Sequence, residues 1–78
     1  MTPSQRAALR SIAWLRERMF TLRILSLEDL AQRSGIDRGT VYRYFIRQQE
    51  PGARNIQPLC NALEVDAEEL LRALGYWR

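Results

Sequence analysis

Arg38, Gly39, Tyr42 and Arg43 fall within six residues of one another and carry the side chains of this sequence best suited to chemistry. An arginine guanidinium is a planar fork of donors that fits the O6 and N7 edge of guanine bidentately, each such pair discriminating by about 1–3 kcal/mol. Gly39 would let the edge of a base or a phosphate come close to the backbone. Thr40 can donate its hydroxyl to a phosphate or cover a thymine methyl. Gly39 and Thr40 are equally compatible with plain helix initiation. Tyr42 suits a phosphate or a thymine, and Arg33 either meets a phosphate or stays solvated.

Covalent chemistry has no comparable foothold. The sequence has no histidine and a single cysteine, Cys60, so neither an intramolecular disulfide nor the ligand spacings of zinc or haem sites can be built. With no nucleophile and base in evidence and no Gly-rich phosphate loop, we expect no enzyme, no catalytic residue, no metal and no cofactor. Cys60 reads as a small core hydrophobe.

Charge points the same way as the arginines. The formal net charge is +3, and all twelve basic residues are Arg. Residues 1–63 hold ten arginines against five acids, whereas Glu64 onward holds four acids against two arginines. A basic patch on a folded domain favours a polyanion, because each phosphate contact releases condensed counterions. At 78 residues the chain reads as one domain over 1–78, burying only about 60% of the surface its unfolded form exposes. No small-molecule ligand is evident. The apolar runs are short and broken by arginine, which argues against a signal peptide, a membrane span or a membrane partner, and for the reducing cytoplasm.

The elements that must position these residues are helices. Apolar residues recur at Ala8, Leu9, Ile12, Leu15 and Met19, predicting a helix from Ser4 to about Phe20, after a stop at Thr2-Pro3-Ser4. Trp14 widens its core face. Thr21 to Leu25 reads as an apolar, partly extended connection. Ser26 is a hydroxyl N-cap for a second helix with Glu28 and Asp29 in its first turn, and Gly35 ends that helix sharply. Asp37 caps a third helix over Arg38 to about Ile46, whose inward stripe is Val41, Tyr44 and Phe45. At 100° per residue Gly39, Tyr42, Arg43 and Ile46 then point outward, with Arg38 at the leading end. Ile46 either meets a thymine methyl or lies beyond a helix that has already ended.

Pro51-Gly52 marks a loop. The fourth helix is expected from an Asn55 N-cap, because Pro58 costs roughly 3 kcal/mol in a helix interior but nothing in the first turn. Its stripe is Ile56, Leu59, Cys60 and Leu63. A fifth helix runs from Ala67 to Leu74, ended by Gly75, with Tyr76 and Trp77 as an aromatic tail over 75–78.

Two short helices joined by a three-residue glycine turn make a helix-turn-helix over 27–46, in which Ala31 is small at the crossing and Ile36 and Val41 wedge the angle. LEDLAQRSGIDRGTVYRYF resembles the phage lambda-type repressor and Cro (Xre-type) helix-turn-helix. Pro51, Ala62-Leu63-Glu64-Val65 and Glu69-Leu70-Leu71 match the segment that follows in that family, and the resemblance covers residues 6 to 74. It implies an all-α, compact five-helix bundle and a bacterial or phage transcriptional regulator acting on double-stranded DNA. It also implies backbone or minor-groove contacts at Gln32, Arg47 and Arg54. Leu27 stands where many members carry a phosphate-touching Gln, Ile24 where a Gly usually ends the first helix, and Phe45 where Glu is frequent. GTVYRYF is similar also to the recognition helix of the TetR family, whose long ligand-binding domain has no counterpart in this sequence.

Helix-turn-helix proteins multiply affinity by pairing on half-sites about 34–36 Å apart. Helix five, being acidic, does not suit DNA, so a homodimer through Leu70, Leu74, Tyr76 and Trp77 is expected. The sequence therefore reads as a repressor on a palindromic operator. The alternatives are an antitoxin-like or scaffold module that uses the fold to bind protein, and a TetR-type DNA-binding domain fragment.

Overall fold

The computed structural model describes residues 1–76; the Trp77 expected at a subunit interface lies outside them. Five helices follow one another: α1 (Pro3–Leu22), α2 (Leu27–Ser34), α3 (Arg38–Phe45), α4 (Ala53–Leu63) and α5 (Ala67–Leu74). No strand occurs among the described residues. The helices fill a volume of 32 × 24 × 21 Å. α1 lies against α3, α4 and α5, while α2 bridges α3 and α4. One core results, built on Leu15, Leu30, Val41, Phe45, Leu59, Leu63, Leu70 and Leu74. Phe45 is fully buried at its centre and stacks on Trp14, ring centroids 6.2 Å apart and 8° from parallel. Phe45 therefore supplies apolar packing where the resemblance suggested a Glu, worth about 1.5–3 kcal/mol for a fully buried side chain of this kind.

α1 is longer at both ends than its apolar period indicates. Thr2 and Gln5 form a capping box: the Gln5 N–H donates to Thr2 Oγ1 (3.2 Å) and the Thr2 N–H to Gln5 Oε1 (2.8 Å). At the other end the helix runs through Thr21 and Leu22, which the sequence suggested were extended. It stops because Arg23 takes the left-handed conformation (φ 57°), letting the Ile24 N–H reach the Met19 carbonyl (2.9 Å). The glycine position of the resemblance is thus filled by Arg23, and Ile24 is the buried residue beyond it. A non-glycine residue in this region costs of order 1–3 kcal/mol, which burial of Ile24 offsets.

α4 also departs from expectation. It starts at Ala53 with Gly52 as N-cap, so Pro58 sits in the sixth helical position and Asn55 is not the cap. Tertiary bonding decides this. The buried Tyr44 hydroxyl accepts from the Gly52 N–H (3.2 Å) and from Asn55 Nδ2 (2.8 Å), drawing the first turn of α4 onto α3. The lost Pro58 N–H leaves the carbonyl of Arg54 without its helical partner, a single bond. Arg18 closes the far end, donating to the carbonyls of Leu63 (2.7 Å) and Glu64 (3.0 Å).

Candidate nucleic-acid interface

α2 and α3 meet across Gly35, whose φ of 73° ends α2. The Ser34 hydroxyl accepts from the Ile36 N–H (3.2 Å), and Ile36 and Ala31 are buried between the helices. α3 starts where Asp37 Oδ2 accepts the Thr40 N–H (3.2 Å). Val41, Tyr44 and Phe45 hold it to the core, so its other face must look outward.

That face gathers the residues the helical period brought together. Arg38 and Arg43 are exposed, and Tyr42 is 40% exposed. Arg43 Nη2 donates to Thr40 Oγ1 (3.0 Å), which draws the guanidinium back along the helix. A Cβ at Gly39 would come within 3.0 Å of Asp37 Oδ2 and 3.4 Å of Arg43 Nη1, so the absent side chain leaves room for both the cap and the arginine. The ion pairs among the described residues are Arg33–Asp29 and Arg72–Glu68, leaving Arg38, Arg43, Arg47 and Arg54 outside any pair.

α3 ends at Phe45, and Ile46 is the half-buried capping residue beyond it, which decides between its two readings against the groove. The loop carrying Arg47 is held by a polar junction that sequence reasoning did not find. Gln48, at φ 56°, donates from Nε2 to Ser11 Oγ (3.1 Å) and to the Phe45 carbonyl (3.0 Å). Ser11, buried in α1, donates in turn to the Ala73 carbonyl (2.6 Å). The Tyr76 hydroxyl donates to the Gln48 carbonyl (3.1 Å). An interior Ser on an otherwise apolar face of α1 was the available signal. Glu28 joins Arg38, Gly39 and Tyr42 in lining one shallow depression. Its place in the first turn of α2 accounts for an acid through the helix dipole, which hides any second role.

Among the outlying candidates, Gln32, Arg47 and Arg54 are exposed. Arg33 is engaged within the chain: Nε donates to Asp29 Oδ1 (3.1 Å) and Nη2 to the Arg23 carbonyl (3.3 Å). It closes the α1–α2 joint. The Leu25 N–H, donating to Asp29 Oδ2 (3.0 Å), and secondarily the Arg33 guanidinium hold the Asp29 carboxyl below its usual range. Burial, with a smaller contribution from the charge of Asp66, pushes the Cys60 thiol up, so the neutral thiol behaves as core.

The expected pairing surface is corrected. Leu70 and Leu74 are 0% and 1% exposed, because α5 turns them onto α1 and α4. Glu68 and Glu69, in the first turn of α5, are exposed. Tyr76 is 45% exposed while its hydroxyl is tied to Gln48.

Two short helices fixed across a glycine turn, the second presenting unpaired arginines on a face with little bulk, define a helix-turn-helix DNA-binding domain. The helix-turn-helix family model matches residues 12–70, and the chain belongs to this family, in its lambda-repressor or Xre type. It is a DNA-binding regulator of that type. The match runs from α1 through α4 into α5, covering the segment beyond the motif on which the lambda-type resemblance rested. No curated protein and no solved structure matches the chain. No helix among the described residues is long and apolar enough to cross a membrane.

Proposed function

We propose that the chain is a transcriptional repressor that inserts α3 into the major groove of a palindromic operator, two copies binding two half-sites. The observation that carries this reading is the outer face of α3, where Arg38 and Arg43 stand outside any ion pair beside a glycine and an exposed tyrosine. Arg38 and Arg43 read guanine edges. Gly39 allows close approach, and Tyr42 covers a thymine or a phosphate. Thr40 braces Arg43, which lowers the conformational cost of ordering the guanidinium on a base. Gln32, Arg47 and Arg54 grip the sugar-phosphate backbone on either side. The junction of Ser11, Gln48 and Tyr76 keeps Arg47 at a fixed offset from α3. Arg33 is given no part in this reading, because its Nε and Nη2 already donate to Asp29 and to the Arg23 carbonyl, which holds the guanidinium at the α1–α2 joint. Of the expected pairing surface, Tyr76 and Trp77 remain as the residues through which copies meet.

Binding to random duplex DNA as a function of salt tests the reading. The phosphate contacts persist without the operator, so log affinity is expected to fall linearly with log salt, and Arg54→Ala to reduce the slope by about one. Absence of binding at low salt would favour the protein-interaction module instead.

A further inference from the structure

A surface feature that DNA reading leaves unused is the apolar end of α1. Phe20 and Leu25 are 85% and 88% exposed and flank a groove over half-buried Met19 and buried Ile24, whose charged lining is Arg16 and Arg23. Single apolar side chains on a surface need no cause, but two large ones beside one groove form a patch that calls for a partner. The fold sets them there. Ending α1 at Arg23 turns Ile24 inward, and the next residue, Leu25, is left outside. Asp29 holds the Leu25 N–H (3.0 Å) and Arg33 the Arg23 carbonyl (3.3 Å), so both rims of the groove are fixed before anything binds.

We propose that this groove docks a short acidic segment of a partner protein bearing one or two bulky apolar side chains. The apolar anchors enter between Phe20 and Leu25 over Met19 and Ile24, and flanking carboxylates pair with Arg16 and Arg23. Area and charge select this occupant over a second copy of the chain. Two exposed side chains of this size offer on the order of 300 Å², taking about 150–250 Å² for the aromatic one. A stable subunit pair needs about 800 Å² from each partner. A twofold contact would also bring the Arg16 and Arg23 patch against the same patch of the other copy, and among the described residues no acid lines the groove to offset it. A peptide anchored at one or two points fits both constraints.

The test is a selection of random displayed peptides on the intact chain, followed by affinity measurements on the enriched peptides made synthetically. The enriched peptides are expected to carry Asp or Glu beside Leu, Phe or Trp. Phe20→Ser and Leu25→Ser should each weaken them about tenfold, and Arg16→Gln several-fold, as anchor and rim residues do. Both apolar side chains stand in solvent, so the two variants should melt as the parent does and keep its DNA affinity; either one that folds suffices. Enrichment without acids, or none, overturns the proposal, as does affinity indifferent to both substitutions. Self-association abolished by Phe20→Ser would assign the groove to a second copy. Phe20-dependent sedimentation with phosphatidylcholine–phosphatidylserine vesicles, in the absence of peptide binding, would assign it to a lipid surface.

Discussion

α3 and α5 are both eight residues long, and each is capped by an aspartate whose carboxylate accepts the N–H three residues on, Thr40 in one and Glu69 in the other. Beyond the caps they diverge. α5 has Glu68 and Glu69 in its first turn, pairs Arg72 with Glu68 one turn on, and stops at Gly75. Each of these choices favours the helix itself. α3 opens with Arg38 at the positive end of the dipole, carries Gly39 in its first turn at up to about 1 kcal/mol relative to Ala, and ends on Ile46 without a left-handed residue. The same core supports both helices. On the proposed function the difference follows from giving the outer face of α3 to recognition, where locally unfavourable residues are expected to collect.

The inner faces should respond alike. Phe45→Ala is expected to cost about 3–5 kcal/mol and Leu74→Ala about 2–5 kcal/mol in urea denaturation, because both leave cavities in one shared core. A negligible loss at either position would break the equivalence. The outer faces should respond oppositely. Arg38→Glu makes α3 resemble α5 and should raise stability by about 0.3–1 kcal/mol while weakening DNA binding; Glu68→Arg should lower stability by a similar amount and leave specific binding intact. If both changes moved the two quantities in the same direction, the division between the helices would be mistaken.

The smallest effect concerns the joint behind α2. Asp29 has its carboxyl lowered in the folded chain by the Leu25 N–H and by Arg33, so its contribution to stability is present above the ordinary carboxylate range and lost as pH falls through the lowered value. Asp29→Asn should therefore flatten the acid limb of the stability–pH curve measured by thermal melting. An unchanged acid limb would remove Asp29 from that joint.

Much of this was legible in the sequence because caps and periods are local. Ser26 and Asp37 announce their helices, and Val41, Tyr44 and Phe45 are separated from Arg38, Tyr42 and Arg43 by rotation alone. What escaped is tertiary. The start of α4 is set by the Tyr44 hydroxyl rather than by Asn55 as a cap, so proline avoidance alone misplaces it. Arg23 adopts a glycine conformation because Ile24 has a core to enter. Leu70 and Leu74 look available for a partner until α1 and α4 are placed over them. Arg33 resembles the other arginines in sequence and is separated from them only by Asp29 and the end of α1. Gln48 acts through Ser11 of α1, which no local pattern reveals.

The most direct measurement is a selection of bound sequences from random duplex DNA, carried out in parallel for the parent chain, Arg43→Ala and Arg54→Ala. The parent should yield a two-fold symmetric site with guanine fixed at the positions read by Arg38 and Arg43. Arg43→Ala should relax one position in each half-site, by about 1–3 kcal/mol of discrimination, and Arg54→Ala should weaken every sequence alike. A parent site whose base preferences survive Arg43→Ala unchanged would contradict the assignment of α3 as the reading helix.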